Sequence, residues 1–179
     1  MLPLFGLSVL LYSQAFQLLL YLYTSNLGKR NDKLWREWVT DPSKGTGRVG
    51  EIIRYTQENV RTAKQLNNRF EEVHMSLVRM LDLRIAFLNT LVAAAPLMGL
   101  LGTVLGMLAT FFGLANSAGG DSVDVVASGI SEALLTTATG LFIALPGFFC
   151  LSFIKRKKHI FESSLAQLET LTLTFRKLG

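Results

Sequence analysis

The sequence is poor in the residues that build metal and nucleophilic sites, and poor in charge. Cys150 is the sole cysteine, which excludes an internal disulfide and a thiolate metal cluster. Lying among Phe148, Phe149 and Leu151, it reads as a small buried hydrophobe. His74 and His159 have no carboxylate or second histidine at ligand spacing, so no metal site is expected. The turn-rich stretch from Asp41 to Arg48 lacks the glycine-lysine order of a phosphate loop, and no strand precedes it. With no nucleophile and base pair either, neither an enzyme nor a resident cofactor is expected. Charged residues make up only 17% of the chain, against about 25% in an ordinary soluble domain. Half the residues are hydrophobic, and they are blocked together.

The blocks are long enough to cross a bilayer, which takes about 20 apolar residues. The first charge is Lys29, Ile85 to Gly120 is uncharged, and Val125 to Ile154 is broken only by Glu132. No basic residue precedes the first apolar core and no small-x-small site ends it, so it is expected to remain as a helix. The pattern predicts an all-α membrane protein with three spans at 1–27, 85–115 and 125–154. Between them lie a helical segment at 28–84 and a short loop at 116–124, and a C-terminal helix follows at 155–179.

Charge gives the topology. Twelve basic and eight acidic residues lie between the first two spans, and Lys155, Arg156, Lys157 and Lys158 follow the third. The joint between spans two and three carries only Asp121 and Asp124. The positive-inside rule therefore puts the middle segment and the C-terminus in the cytoplasm and the N-terminus outside. The net charge of +5 follows from this topology and is no sign of nucleic-acid binding. At Lys155 to Lys158 a topogenic role comes first and contact with anionic lipid second.

Trp35 to Trp38 forms a short amphipathic piece, a composition favoured near headgroups. From Glu51 onward Ile52, Thr56, Val60, Ala63, Leu66, Phe70, Val73, Leu77 and Leu81 recur at steps of three and four. This predicts one helix running into the second span without a break and projecting into the cytoplasm. Phe161, Leu165 and Leu168 repeat the spacing, so the third span is also expected to continue as a cytoplasmic helix.

On the second span Ala95, Gly99, Gly102, Thr103, Gly106, Thr110 and Gly113 fall within about 60° of one line. Such a bare face either packs tightly on another helix or walls a pore. Ser128, Glu132, Thr136, Thr139, Ile143 and Pro146 share a face of the third span. A carboxylate at membrane depth costs roughly 2 to 3 kcal/mol even on lenient insertion scales, so Glu132 implies a use or a partner. Hydroxyls one turn above and below an acid relay or solvate a proton, and proton or ion handling is the first expectation. The competing reading places Glu132 near enough to the outer end to reach interfacial water. Pro96 and Pro146 each remove a backbone hydrogen bond and permit a kink.

The runs Ala95-Pro96-Leu97-Met98-Gly99-Leu100-Leu101-Gly102-Thr103-Val104-Leu105-Gly106 and Ile130-Ser131-Glu132-Ala133-Leu134-Leu135-Thr136-Thr137-Ala138-Thr139-Gly140-Leu141-Phe142-Ile143-Ala144-Leu145-Pro146 resemble the MotA/TolQ/ExbB proton-channel family, on its ExbB/TolQ side. The resemblance is dense over the last two spans and loose over the three-span layout. It implies a pentameric ring in the bacterial inner membrane, enclosing single-span partners of the ExbD/TolR type that drive a TonB- or TolA-like protein. It also implies that the family's glutamate is Glu132, its threonines Thr103 and Thr137, and its prolines Pro96 and Pro146. Helical spacing sets Thr137 about 140° from Glu132, toward a neighbouring helix, and leaves Thr136 and Thr139 as the relay candidates. Leu105 stands where many members have Trp, and the first span begins close to the N-terminus. The four-span flagellar stator branch fits less well. Outside the resemblance, two alternatives stand: a scaffold subunit that only packs helices, and a small proton-coupled transporter.

Overall fold

A computed structural model describes residues 2–24, 32–58, 60–116 and 122–177. Its described residues form α1 (Leu2–Thr24), α2 (Asp32–Thr40), a 3-10 turn (Pro42–Lys44), α3 (Gly47–Gln57), α4 (Ala63–Asn116) and α5 (Ser122–Lys177), with no strand among them. Three helices, α1, α4 and α5, are long and apolar enough to cross a membrane. At 54 and 56 residues, α4 and α5 are each more than twice the length a span needs. Helix runs on through both Pro96 and Pro146. The end of the first span expected to 27, the start of the segment expected from 28, and residues 117–121 of the loop expected at 116–124 lie outside the described residues.

The chain divides into two packed units. The first takes the described residues of Met1–Phe16 and Ala86–Leu151. Leu4, Ala95, Ile143 and Ala144 form its buried apolar cluster, with Leu7 and Met98 against it. The Tyr12 hydroxyl donates to the Ile143 carbonyl at 3.1 Å, which ties α1 to α5. Around this thin core the large apolar side chains point outward: Leu101, Leu105, Phe112, Leu134, Phe142 and Phe149 are all more than half exposed. In water such a surface is untenable, and it suits a lipid solvent or further helices.

The second unit takes the described residues of Gln17–Ile85 and Ser152–Gly179. It has an ordinary core, with Leu18, Trp35, Ile53, Leu66, Phe70, Leu81, Ile154, Phe161, Leu165 and Leu168 buried. Trp35 and Val39 carry the apolar face of α2 inward. Gly47, at φ +66°, makes the turn into α3, a conformation that costs a residue with a Cβ about 1 to 2 kcal/mol. Lys158 bridges α4 and α5, 2.6 Å from Asp82 and 2.9 Å from Glu162. Burial pulls its ammonium down, but the hydrogen bonds to Asp82 and Glu162 and their charges outweigh this and leave it above its ordinary value.

The structure corrects the single unbroken helix expected from Glu51 onward. α3 ends at Gln57, Glu58 is extended at φ −66° and ψ 122°, and α4 starts at Ala63. Val60 is buried past the break, and the Arg61 backbone N–H donates to the Gln65 side chain at 3.0 Å, satisfying a free donor at the new helix start. Periodicity hid the break, because Thr56, Val60, Ala63 and Leu66 keep steps of three and four across it.

Candidate functional site

Within the first unit, α4 and α5 meet along a seam of small residues. A Cβ added at Gly99 would stand 3.1 Å from the Thr136 carbonyl oxygen and the Thr137 Cα, and one at Gly102 would stand 2.7 Å from Thr136 Oγ1. At Gly106 the neighbour is the Ala133 Cβ at 3.1 Å, at Gly113 it is Val125, and Gly129 lies directly under Thr110. At Gly140 a Cβ would meet the Ala95 carbonyl oxygen at 2.7 Å. Each step of three or four down α4 is thus matched by a step of three or four up α5, the contact pattern of antiparallel helices in fixed register.

Threonine hydroxyls along this seam bond mostly to their own helix. Thr103 donates to the Leu100 carbonyl at 2.6 Å, Thr110 to Gly106 at 2.8 Å, Thr136 to Ala133 at 2.7 Å and Thr139 to Leu135 at 2.7 Å. Thr137 is different: it crosses to the Gly99 carbonyl of α4 at 3.2 Å. This back-bonding leaves each hydroxyl oxygen a lone pair for accepting a proton.

Glu132 lies beside the seam, exposed, on a groove of about 420 Å³. Gly106, Ala109 and Thr110 of α4 form one wall, and Asp124, Val125, Ser128, Gly129 and Glu132 of α5 the other. Among the described residues Glu132 has no hydrogen-bond or charged partner. The acid therefore faces open space as the one charge in the stretch of α5 from Val125 to Ile154. Of the residues singled out by sequence, Gly106, Thr110, Ser128 and Glu132 come together at this groove. Gly99, Gly102, Thr136 and Thr137 instead form the seam, and Thr103 and Thr139 are half-buried and line neither. The line drawn through Ser128, Glu132, Thr136 and Thr139 thus divides, because α4 covers Thr136 and leaves Glu132 open.

Sequence reasoning missed Asp124 as a member of this site. It lies eight residues before Glu132 with Ser128 midway, two helical turns or about 12 Å of rise. That spacing is legible in the sequence, where it serves to set Glu132 near the outer end and not to join the two acids in one site. The small partners Gly129, Ala133 and Gly140 were missed as a stripe for a simpler reason: Glu132 and the threonines drew the face.

The model of the MotA/TolQ/ExbB proton channel family matches residues 48–167. The chain belongs to this family. The matched range contains α4 entire, the seam and the Glu132 groove. An 83-residue stretch is 39% identical to the biopolymer transport protein ExbB of Xanthomonas campestris pv. campestris, covering 46% of this chain and 31% of that protein. Over 69 residues the chain is 42% identical to the Tol-Pal system protein TolQ of Haemophilus influenzae, covering 38% of this chain and 30% of that protein. A longer stretch of 123 residues is 29% identical to ExbB of Salmonella typhimurium, covering 69% of this chain and 50% of that protein. The chain therefore spans half or less of the length of these family members.

Proposed function

We propose that this chain is the proton-conducting subunit of an inner-membrane energy-coupling motor, and that Glu132 is its proton-handling acid. The observation that carries the reading is an unpartnered carboxylate on a membrane-length helix, open to a groove with hydroxyls on both walls. Membership of the MotA/TolQ/ExbB proton channel family supports it. In this reading the chain assembles as a pentameric ring with the N-terminus periplasmic and the C-terminus cytoplasmic. Thr103, Thr136, Thr137 and Thr139 serve the proton pathway with Glu132, and the groove side of α4 and α5 lines the pore. Single-span partners of the ExbD/TolR type sit inside and drive a TonB- or TolA-like protein across the periplasm. A partner carboxylate is the natural counterpart of Glu132. One proton moved through 100 mV supplies about 2.3 kcal/mol, enough to bias a helix between discrete states.

The test is proton flux into vesicles holding the chain and an ExbD/TolR-type partner, read with a pH-sensitive dye under an imposed potential. Glu132→Gln is expected to abolish flux while the oligomer still elutes at its original size. Wild-type flux through the Gln variant would make the acid structural. A scaffold reading is favoured by the close α4 and α5 seam, and it predicts the reverse: disruption by Gly102→Leu and indifference to Glu132→Gln.

A further inference from the structure

A second groove, of about 650 Å³, lies wholly within the second unit. Its floor is apolar, made by Ile52 of α3 with Val73, Leu77 and Met80 of α4. The walls are not. Arg48 and Glu51, one turn apart on α3, stand on one side, and Glu72 stands on the other. Tyr21, in the last turn of the uncharged helix α1, closes the end where the apolar segment stops. The groove therefore opens where an apolar span gives way to charge, the depth of lipid headgroups.

Its polar groups are arranged for a zwitterion. Arg48 lies 4.4 Å over the Tyr21 ring and donates one N–H to the Tyr21 hydroxyl, which leaves donors of its fork for an anion. Glu51 has no partner among the described residues. Glu72 accepts from the Tyr55 hydroxyl at 2.8 Å and lies 3.7 Å from Arg69 through the same oxygen, Oε2, which leaves Oε1 to accept from a ligand. Arg69 covers the Tyr55 ring at 4.8 Å, so each of the two tyrosines already carries a guanidinium on one face. A quaternary ammonium has no N–H to give, whereas a primary ammonium can donate to the two carboxylates.

We propose that this groove holds a phospholipid headgroup bearing a primary ammonium, of the phosphoethanolamine type. The phosphate lies against Arg48, the ammonium between Glu51 and Glu72, and the first methylenes over Val73, Leu77 and Met80. The two-carbon spacer between phosphate and ammonium matches the single helical turn between Arg48 and Glu51. An anionic lipid would bring a second negative group to Glu51 and Glu72, and is disfavoured. The site is independent of the proton pathway and stands or falls separately from it.

The experiment places the purified full chain in bilayer discs with equal amounts of phosphatidylethanolamine, phosphatidylcholine and phosphatidylglycerol, and reads retained lipid by native mass spectrometry. Phosphatidylethanolamine is expected to be retained about tenfold over phosphatidylcholine, the scale of one charge-assisted hydrogen bond. The preference should fall to parity in Glu51→Gln/Glu72→Gln, and Arg48→Gln should lower retention of all three lipids. Lys64→Gln, exposed and outside the lining, should keep it. Parity in the wild type, dominance of phosphatidylglycerol, or a preference that survives the double Gln change would overturn the proposal. If the double variant fails to fold by circular dichroism, Glu51→Gln alone, exposed and unpaired, gives the same reading.

Discussion

Substituting Gly140 by alanine tests how tightly the membrane seam is closed. The added Cβ would stand 2.7 Å from the Ala95 carbonyl oxygen and 3.1 Å from the Gly99 Cα, and both obstacles are backbone. Ordinary contact begins at 3.4 Å, so α4 and α5 must separate by about 0.7 Å at this level. The Thr137 hydroxyl, 3.2 Å from the Gly99 carbonyl, would then stretch to about 3.9 Å and lose its bond. Overpacking costs about 1 to 3 kcal/mol and an interhelical membrane hydrogen bond about 0.6 kcal/mol. Against these stands the helix propensity gained from Gly to Ala, close to 1 kcal/mol. Gly6→Ala gains the same propensity with nothing within 4 Å of the new Cβ, so it is the matched control. The two variants should therefore differ by about 1.6 to 3.6 kcal/mol in unfolding free energy, the sum of the clash and the lost bond. The assay is denaturant unfolding in lipid-detergent micelles, followed by helicity. If Gly140→Ala is as stable as Gly6→Ala, the close approach of α4 and α5 is wrong.

Three further outcomes follow from single contacts. Gly102→Ala should also destabilise, but here the obstacle is the Thr136 side chain, so Thr136→Ala should rescue Gly102→Ala and fail to rescue Gly140→Ala in the same unfolding assay. Lys158→Met should cost about 1 to 2 kcal/mol at neutral pH, since it removes the shared cation from Asp82 and leaves Glu162 with only His159, 3.3 Å away. Because the Lys158 value is raised in the fold, its contribution is complete below the unfolded lysine value of about 10.4 and is lost as pH climbs through the folded one, which an unfolding series above pH 10 would show. Burial and the neighbouring Glu71 push the Glu169 carboxyl up, partly offset by His74. The folded state then holds that proton more tightly than the unfolded one, so stability should fall as pH rises from about 4.3 through the raised value. Glu169→Gln should flatten that slope, and an unchanged slope would exclude this carboxyl as its source.

Much of the architecture was legible in one dimension because bilayer thickness acts on composition. An uncharged run of about 20 residues has few fates other than a span, and α1, α4 and α5 occupy the three such runs. The glycine and threonine face of the second span was legible too, since helical period alone puts Gly99, Gly102, Gly106 and Thr110 on one line. The break at Glu58 was not legible, because Val60, buried past it, keeps the step of four from Thr56 that a continuous helix would show.

By itself the sequence determined the number of membrane-length helices and marked Glu132 as the one charge in the apolar runs. Only the tertiary structure decided what each neighbour of Glu132 does. A helical wheel assigns Thr136 and Glu132 to one face, but how much of that face α4 covers depends on the register in which two helices meet. That register is set by backbone contacts at Gly99, Gly102 and Gly140, where the absence of a side chain fixes the approach. It buries Thr136, turns Thr137 across to the Gly99 carbonyl, and leaves Glu132 beside Ser128 and Asp124 on an open groove.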